Sequence, residues 1–136
     1  MTTLLVFSND EALRERVRMA IGRSPAAGID SIRYLEADSA GAVIAAVDEG
    51  GIDLLVLDGE AWPAGGLGVS RELKNSRDDC PPIVVLIARL DDRWLGVWSQ
   101  ADAVILQPID AVEVSTAVVR LLTGTPVAAG VLKETL

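Results

Sequence analysis

Residues 53–58 read Asp53-Leu54-Leu55-Val56-Leu57-Asp58. Apolar side chains, nearly continuous and broken only by Asp53, leave almost no wet face, so the run Ile52–Leu57 predicts a strand buried on both sides, as in a parallel sheet. Working outward, four more short runs have strand length: Leu4–Phe7, Ile32–Leu35, Ile83–Ile87 and Ala103–Leu106. Ile32-Arg33-Tyr34-Leu35 mixes polar and apolar residues, which suits an edge strand. The stretches between them carry helical spacing. Leu13, Val17, Ala20 and Ile21 share one face, as do Ala40, Val43, Ile44 and Val47, and Val114, Val118, Leu121 and Leu122. Two further helices fit residues 67–76 and 92–100. Ser8-Asn9-Asp10-Glu11 and Asp110-Ala111-Val112-Glu113 have the spacing of capping boxes, and Gly50-Gly51 ends the second helix. Five strands alternating with five helices predict an α/β fold with a parallel sheet covered on both faces.

Composition narrows the function. The chain has 136 residues, half of them hydrophobic, enough for one domain with a core that needs no disulfide or metal. Twenty acidic against twelve basic residues give a net charge of −8, with a sequence pI near 4.4. That charge repels phosphate backbones, so nucleic-acid binding is not expected. Histidine is absent, which excludes Ser-His-Asp triads and His-ligated zinc. Cys80 is the single cysteine and reads as a small residue at a strand entrance. No apolar stretch approaches the roughly 18 residues of a membrane helix. Met1–Phe7 lacks the basic start and cleavage site of a secretory signal, so a cytoplasmic location is expected.

In such a sheet, ligands sit beyond the carboxyl ends of the strands, which here places Ser8, Asn9 and Asp10, then Asp58, Gly59 and Glu60, then Ile87, Ala88, Gln107 and Pro108. Neither Gly-x-Gly-x-x-Gly after the first strand nor Gly-Lys-Ser/Thr anywhere marks a nucleotide site. Gly65-Gly66-Leu67-Gly68 reads as a flexible loop opening the third helix.

The chain resembles the receiver domain of bacterial two-component response regulators over residues 3 to about 122. The resemblance is carried by Asp53–Asp58 with Gly66-Leu67 following, by Pro82-Ile83-Val84-Val85-Leu86-Ile87-Ala88, and by Ala101-Asp102-Ala103-Val104-Ile105-Leu106-Gln107-Pro108. It implies a flavodoxin-like fold with strand order 2-1-3-4-5, a domain over residues 1–122, and an extension or linker start over 123–136. It also implies that Asp58 is the phosphoacceptor position, served by a histidine kinase, and that the Gln107–Pro108 bond is cis.

Phosphoryl transfer to an aspartate needs a divalent cation, because phosphate and carboxylate otherwise repel. The acidic pair that holds it in receivers is matched here by Ser8 and Asn9, leaving Asn9, Asp58 and Glu60 as a weak magnesium set. The lysine position is Gln107, the switch hydroxyl is Ile87 and the switch aromatic is Val104. Each lost hydrogen bond to a charged group costs roughly 1.5–3 kcal/mol, so two losses and a depleted metal site slow transfer by several powers of ten. The expectation is a degenerate receiver: a protein-interaction module, not an enzyme, with no resident cofactor. The alternative is a working phosphoacceptor with an atypical metal site. Trp94 and Trp98, with Val104, mark the face of helix 4, strand 5 and helix 5, through which receivers bind partners or form homodimers.

Overall fold

A computed structural model describes residues 1–124. The elements run β1 (Thr2–Phe7), α1 (Glu11–Ile21), β2 (Ile32–Ala37), α2 (Ala40–Glu49), β3 (Leu54–Asp58), α3 (Gly66–Ser76), β4 (Ile83–Ile87), α4 (Arg93–Trp98), β5 (Ala103–Leu106) and α5 (Ala111–Leu122). A single 3-10 turn, Leu90–Asp92, leads into α4. The strands form one parallel sheet in the order β2-β1-β3-β4-β5, with β3 at its centre. This is the expected doubly wound architecture, and β2 is the edge strand that its mixed composition predicts.

Side chains alternate across the sheet because successive residues of a strand point to opposite faces. Leu4, Val6, Leu54, Val56, Val84 and Ile105 pack under α1 and α5. Leu5, Phe7, Leu55, Leu57, Val85 and Ile87 pack on the other face, with Val43 of α2 and Val69 and Leu73 of α3. Two aspartates, each one residue upstream of a strand, tie the amino end of the sheet. Asp53 accepts the Thr3 amide at 2.8 Å, and Asp102 accepts the Ile83 amide and the Lys74 ammonium, both at 2.7 Å.

The structure corrects several local expectations. The central strand starts at Leu54 and ends at Asp58, and α4 covers only Arg93–Trp98 rather than 92–100. Ser8 does not cap α1. Asp10 does, its carboxylate accepting the Ala12 amide at 3.0 Å, because the Ser8 hydroxyl is drawn elsewhere. Asp110 caps α5 as its capping box predicts. Gly65 and Gly66 are not a flexible loop but close-packing points. A Cβ on Gly66 would lie 2.7 Å from the Asp58 carbonyl oxygen, and one on Gly65 2.6 Å from the Gly59 oxygen. The extension expected from Thr123 lies, from residue 125 onward, outside the described residues. Among the described residues no helix is long and apolar enough to cross a membrane.

Candidate functional site

Asp58 ends β3 at the carboxyl edge of the sheet and is almost wholly buried, 4% exposed. The register fixes it: β3 pairs β1 on one side and β4 on the other, so its carboxylate faces the first residues of the loop after β1. Ser8, 1% exposed, donates its hydroxyl to Asp58 Oδ2 at 2.7 Å. The other oxygen, Oδ1, accepts the Glu60 amide at 2.8 Å. Ser8 is held in turn, its hydroxyl accepting the Asp10 amide at 2.9 Å and its carbonyl accepting Nη1 of Arg14 at 2.6 Å. Arg14 is anchored by Glu36, whose Oε1 accepts its Nε at 2.8 Å. Both oxygens of a buried carboxylate therefore have donors, as burial of a charge demands.

The remaining expected site residues do not converge on that carboxylate. Asn9 is exposed and donates its amide to the Trp62 carbonyl oxygen at 3.0 Å, away from Asp58. Glu60 is exposed, and its side chain enters no hydrogen bond or ion pair among the described residues. Ile87 fills the end of β4, buried and apolar. Gln107 contributes its backbone amide to the Ile87 carbonyl at 2.8 Å, and its side-chain amide makes no hydrogen bond among the described residues. The Gln107–Pro108 bond is cis, as expected, and so is Trp62–Pro63. No lysine or arginine forms an ion pair with Asp58 among the described residues, nor do three His, Cys, Asp or Glu side chains gather there into a group able to hold a metal. Asp58 has one donor on each carboxylate oxygen, and no hydrogen bond among the described residues draws the Asn9 or Glu60 side chain to it, whereas magnesium takes oxygen ligands in near-octahedral array.

The second expected region is α4. Trp94, Val97 and Trp98 are 66%, 67% and 42% exposed, so neither tryptophan is in the core. Leu90, at the preceding turn, continues the stripe. Val104 departs from the expectation: it is buried and closed over by Gly96, where a Cβ would lie 2.7 Å from Val104 Cγ2. It belongs to the core and offers nothing to a partner. Residues that sequence reading did not single out hold α4 in place. Buried Ser70 of α3 donates to the Ser99 carbonyl at 2.9 Å, and buried Ser99 donates to the Gly96 carbonyl at 2.5 Å. Arg71 donates to the Trp98 carbonyl at 2.7 Å while its guanidinium lies 4.7 Å from the Trp98 ring centroid. A polar stripe on α3 at positions 70, 71, 74 and 75 was the available signal. Cys80 is half-buried, and burial pushes its thiol up.

No family model matches the chain. An uncharacterized response regulatory protein of Mycobacterium tuberculosis, found in two strains, is 42% identical over 119 residues, which cover 88% of this chain and 90% of that one. Among solved structures, the receiver domain of a Francisella response regulator superposes with a TM-score of 0.76 at 16% identity, over 92% of this chain and 99% of that one. The signal receiver domain of a histidine kinase from Syntrophus aciditrophicus gives 0.76 at 19%, over 95% and 94%. At these identities the solved structures speak to fold alone.

Proposed function

Because the chain belongs to the response regulatory protein family, as a receiver domain of two-component signalling, we propose that it works through its surface and not through a phosphate switch. The observation that supports this most is the Ser8–Asp58 hydrogen bond. In a phosphoacceptor site the attacking carboxylate oxygen needs to be open, and fixed positive charge must already stand where the phosphoryl oxygens will lie. Here Oδ2 is covered by a hydroxyl, Ile87 has no donor to give, and Gln107 carries no charge. Magnesium binding at Asn9, Asp58 and Glu60 is correspondingly weak. No residue is assigned a catalytic role.

The protein partner, a histidine kinase or another component of the pathway, docks on the exposed stripe of α4. Tryptophan is enriched where binding energy concentrates, and exposed apolar side chains at this density mark contact surfaces. Mass spectrometry after incubation with acetyl phosphate and magnesium tests the reading. Little or no adduct, equal to that on Asp58→Asn, is expected. Rapid, magnesium-dependent addition of one phosphate that vanishes in Asp58→Asn overturns it and establishes Asp58 as a working phosphoacceptor.

A further inference from the structure

Ser8 covers Asp58 only while its own backbone stays in place, and both of its backbone polar groups are held from the end of β2. The Ser8 amide donates to the Ala37 carbonyl at 3.2 Å. The Ser8 carbonyl accepts Arg14 Nη1 at 2.6 Å, and Arg14 Nε donates to Glu36 Oε1 at 2.8 Å. Two neighbouring residues of the edge strand therefore grip the serine, Ala37 directly and Glu36 through a guanidinium. The second oxygen of Glu36, Oε2, lies 3.5 Å from Arg18 Nε, and Arg18 pairs in turn with Glu15 on α1.

Arg14 and Arg18 are four residues apart, so α1 presents both guanidinium groups on one face, and both reach Glu36. The path runs from solvent inward. The Glu36 side chain is 35% exposed and that of Arg14 15%, whereas Ser8 and Asp58 are buried. The Arg14–Ser8 contact is charge-assisted, roughly twice as strong as a bond between neutral groups. The planar fork of Arg14 lets a single side chain serve Glu36 and Ser8 at once. A partly exposed ion pair adds little to global stability, so the consequence of this one is local: it sets where Ser8 stands.

We propose that Arg14 and Glu36 are positioning residues for Asp58, and that the exposed end of β2 thereby governs whether the Ser8 hydroxyl covers Oδ2. Drawing Glu36 away, as a cationic side chain of a partner at this edge would, lets Arg14 release the Ser8 carbonyl and the loop uncover the carboxylate. The inference rests on the reading that Ser8 closes Asp58 to a phosphoryl group, and adds what holds the closure.

Solution NMR on the full chain tests it. The carboxyl carbon of Asp58, assigned by its loss in Asp58→Asn, reports the hydroxyl on Oδ2, and Ser8→Ala gives its uncovered position. Arg14→Ala is expected to move that signal at least half of the way to the Ser8→Ala position. It should also speed exchange of the Asp10 amide, which the Ser8 hydroxyl oxygen accepts, by about tenfold. The Leu55 and Leu57 amides of β3 should keep their wild-type exchange, which separates repositioning from loss of stability. Arg14→Lys keeps the charge without the fork and should lie between. Glu36→Ala should act in the same direction and add nothing to Arg14→Ala, because it works through that guanidinium. An Asp58 carbon unmoved in Arg14→Ala overturns the proposal, as does exchange that rises in step throughout β3, or a Glu36→Ala effect that adds in full. An Asp58 carbon unmoved in Ser8→Ala is the distinct failure, because it strikes the covered-carboxylate reading and the proposal with it.

Discussion

Asp58 and Asp102 are the same residue type at opposite ends of one sheet, each accepting a backbone amide with one carboxylate. Asp102 also has a cation, the Lys74 ammonium at 2.7 Å, and is partly open to solvent. Asp58 has a neutral serine hydroxyl at the same distance and is buried. The difference teaches what each carboxylate can still do. Asp102 is neutralised and completes the entry of β4. Asp58 is solvated by dipoles alone, which is enough to bury a charge but not to receive another one.

Removing each aspartate sharpens the contrast. Asp102→Ala strands the Lys74 ammonium and the Ile83 amide and should cost about 2–3 kcal/mol in chemical denaturation. An equal cost for Asp58→Asn would break the comparison. The next effect comes from restoring acid beside Asp58. In Ser8→Asp two carboxylates face each other without a cation, and the pair must take up a proton at a raised pKa. A folded-state pKa above the unfolded value means that stability is intact below about pH 4 and is lost as pH rises through the raised value. About 1–2 kcal/mol should disappear by pH 7 and return on adding magnesium, read from denaturation midpoints with and without the metal. Asp58→Asn keeps one acceptor, its Oδ1 for the Glu60 amide, and turns the other position into an NH2 donor that the Ser8 hydroxyl oxygen can accept, so stability should change by less than about 1 kcal/mol.

The smallest contrast concerns a hydroxyl that donates to a carbonyl instead of a carboxylate. Tyr34, the single tyrosine, donates to the Gly22 carbonyl at 2.5 Å, and burial pushes its pKa up to about 12 against the pull of Arg18. Its folded value lies above the ordinary value of 10, so its contribution is complete below pH 10 and fades as pH rises through 12. Neutral pH should show none of this titration. Ultraviolet titration of tyrosinate should place the midpoint near 12 in the folded chain and near 10 in denaturant.

How much of this is readable from sequence depends on whether one segment decides it. The strands are legible because Leu54–Leu57 and Ile83–Ile87 have no polar face to offer water, and β2 is legible as an edge because Arg33 and Glu36 must reach it. The site is less so. Ser8 and Glu11 have the spacing of a capping box, and nothing local shows that a carboxylate fifty positions away takes the hydroxyl and leaves the cap to Asp10. Val104 has the composition of a contact residue, but its fate is set by Gly96 on another element. Asp53 and Asp102 did leave a sign, an acid immediately before an apolar run, whose meaning appears only when the neighbouring strand's amide is in place.

The placement of the tryptophans has a consequence for how this chain can be watched. All three indoles face solvent in the folded state, with Trp98 the most covered, beneath a guanidinium. Unfolding therefore uncovers little new surface on Trp62 and Trp94 and only the covered part of Trp98, and the emission maximum shifts little when the core is lost. Quenching by added iodide would report instead on what settles over the carboxyl end of the sheet, making intrinsic fluorescence a poor thermometer of folding and a sensitive gauge of contact.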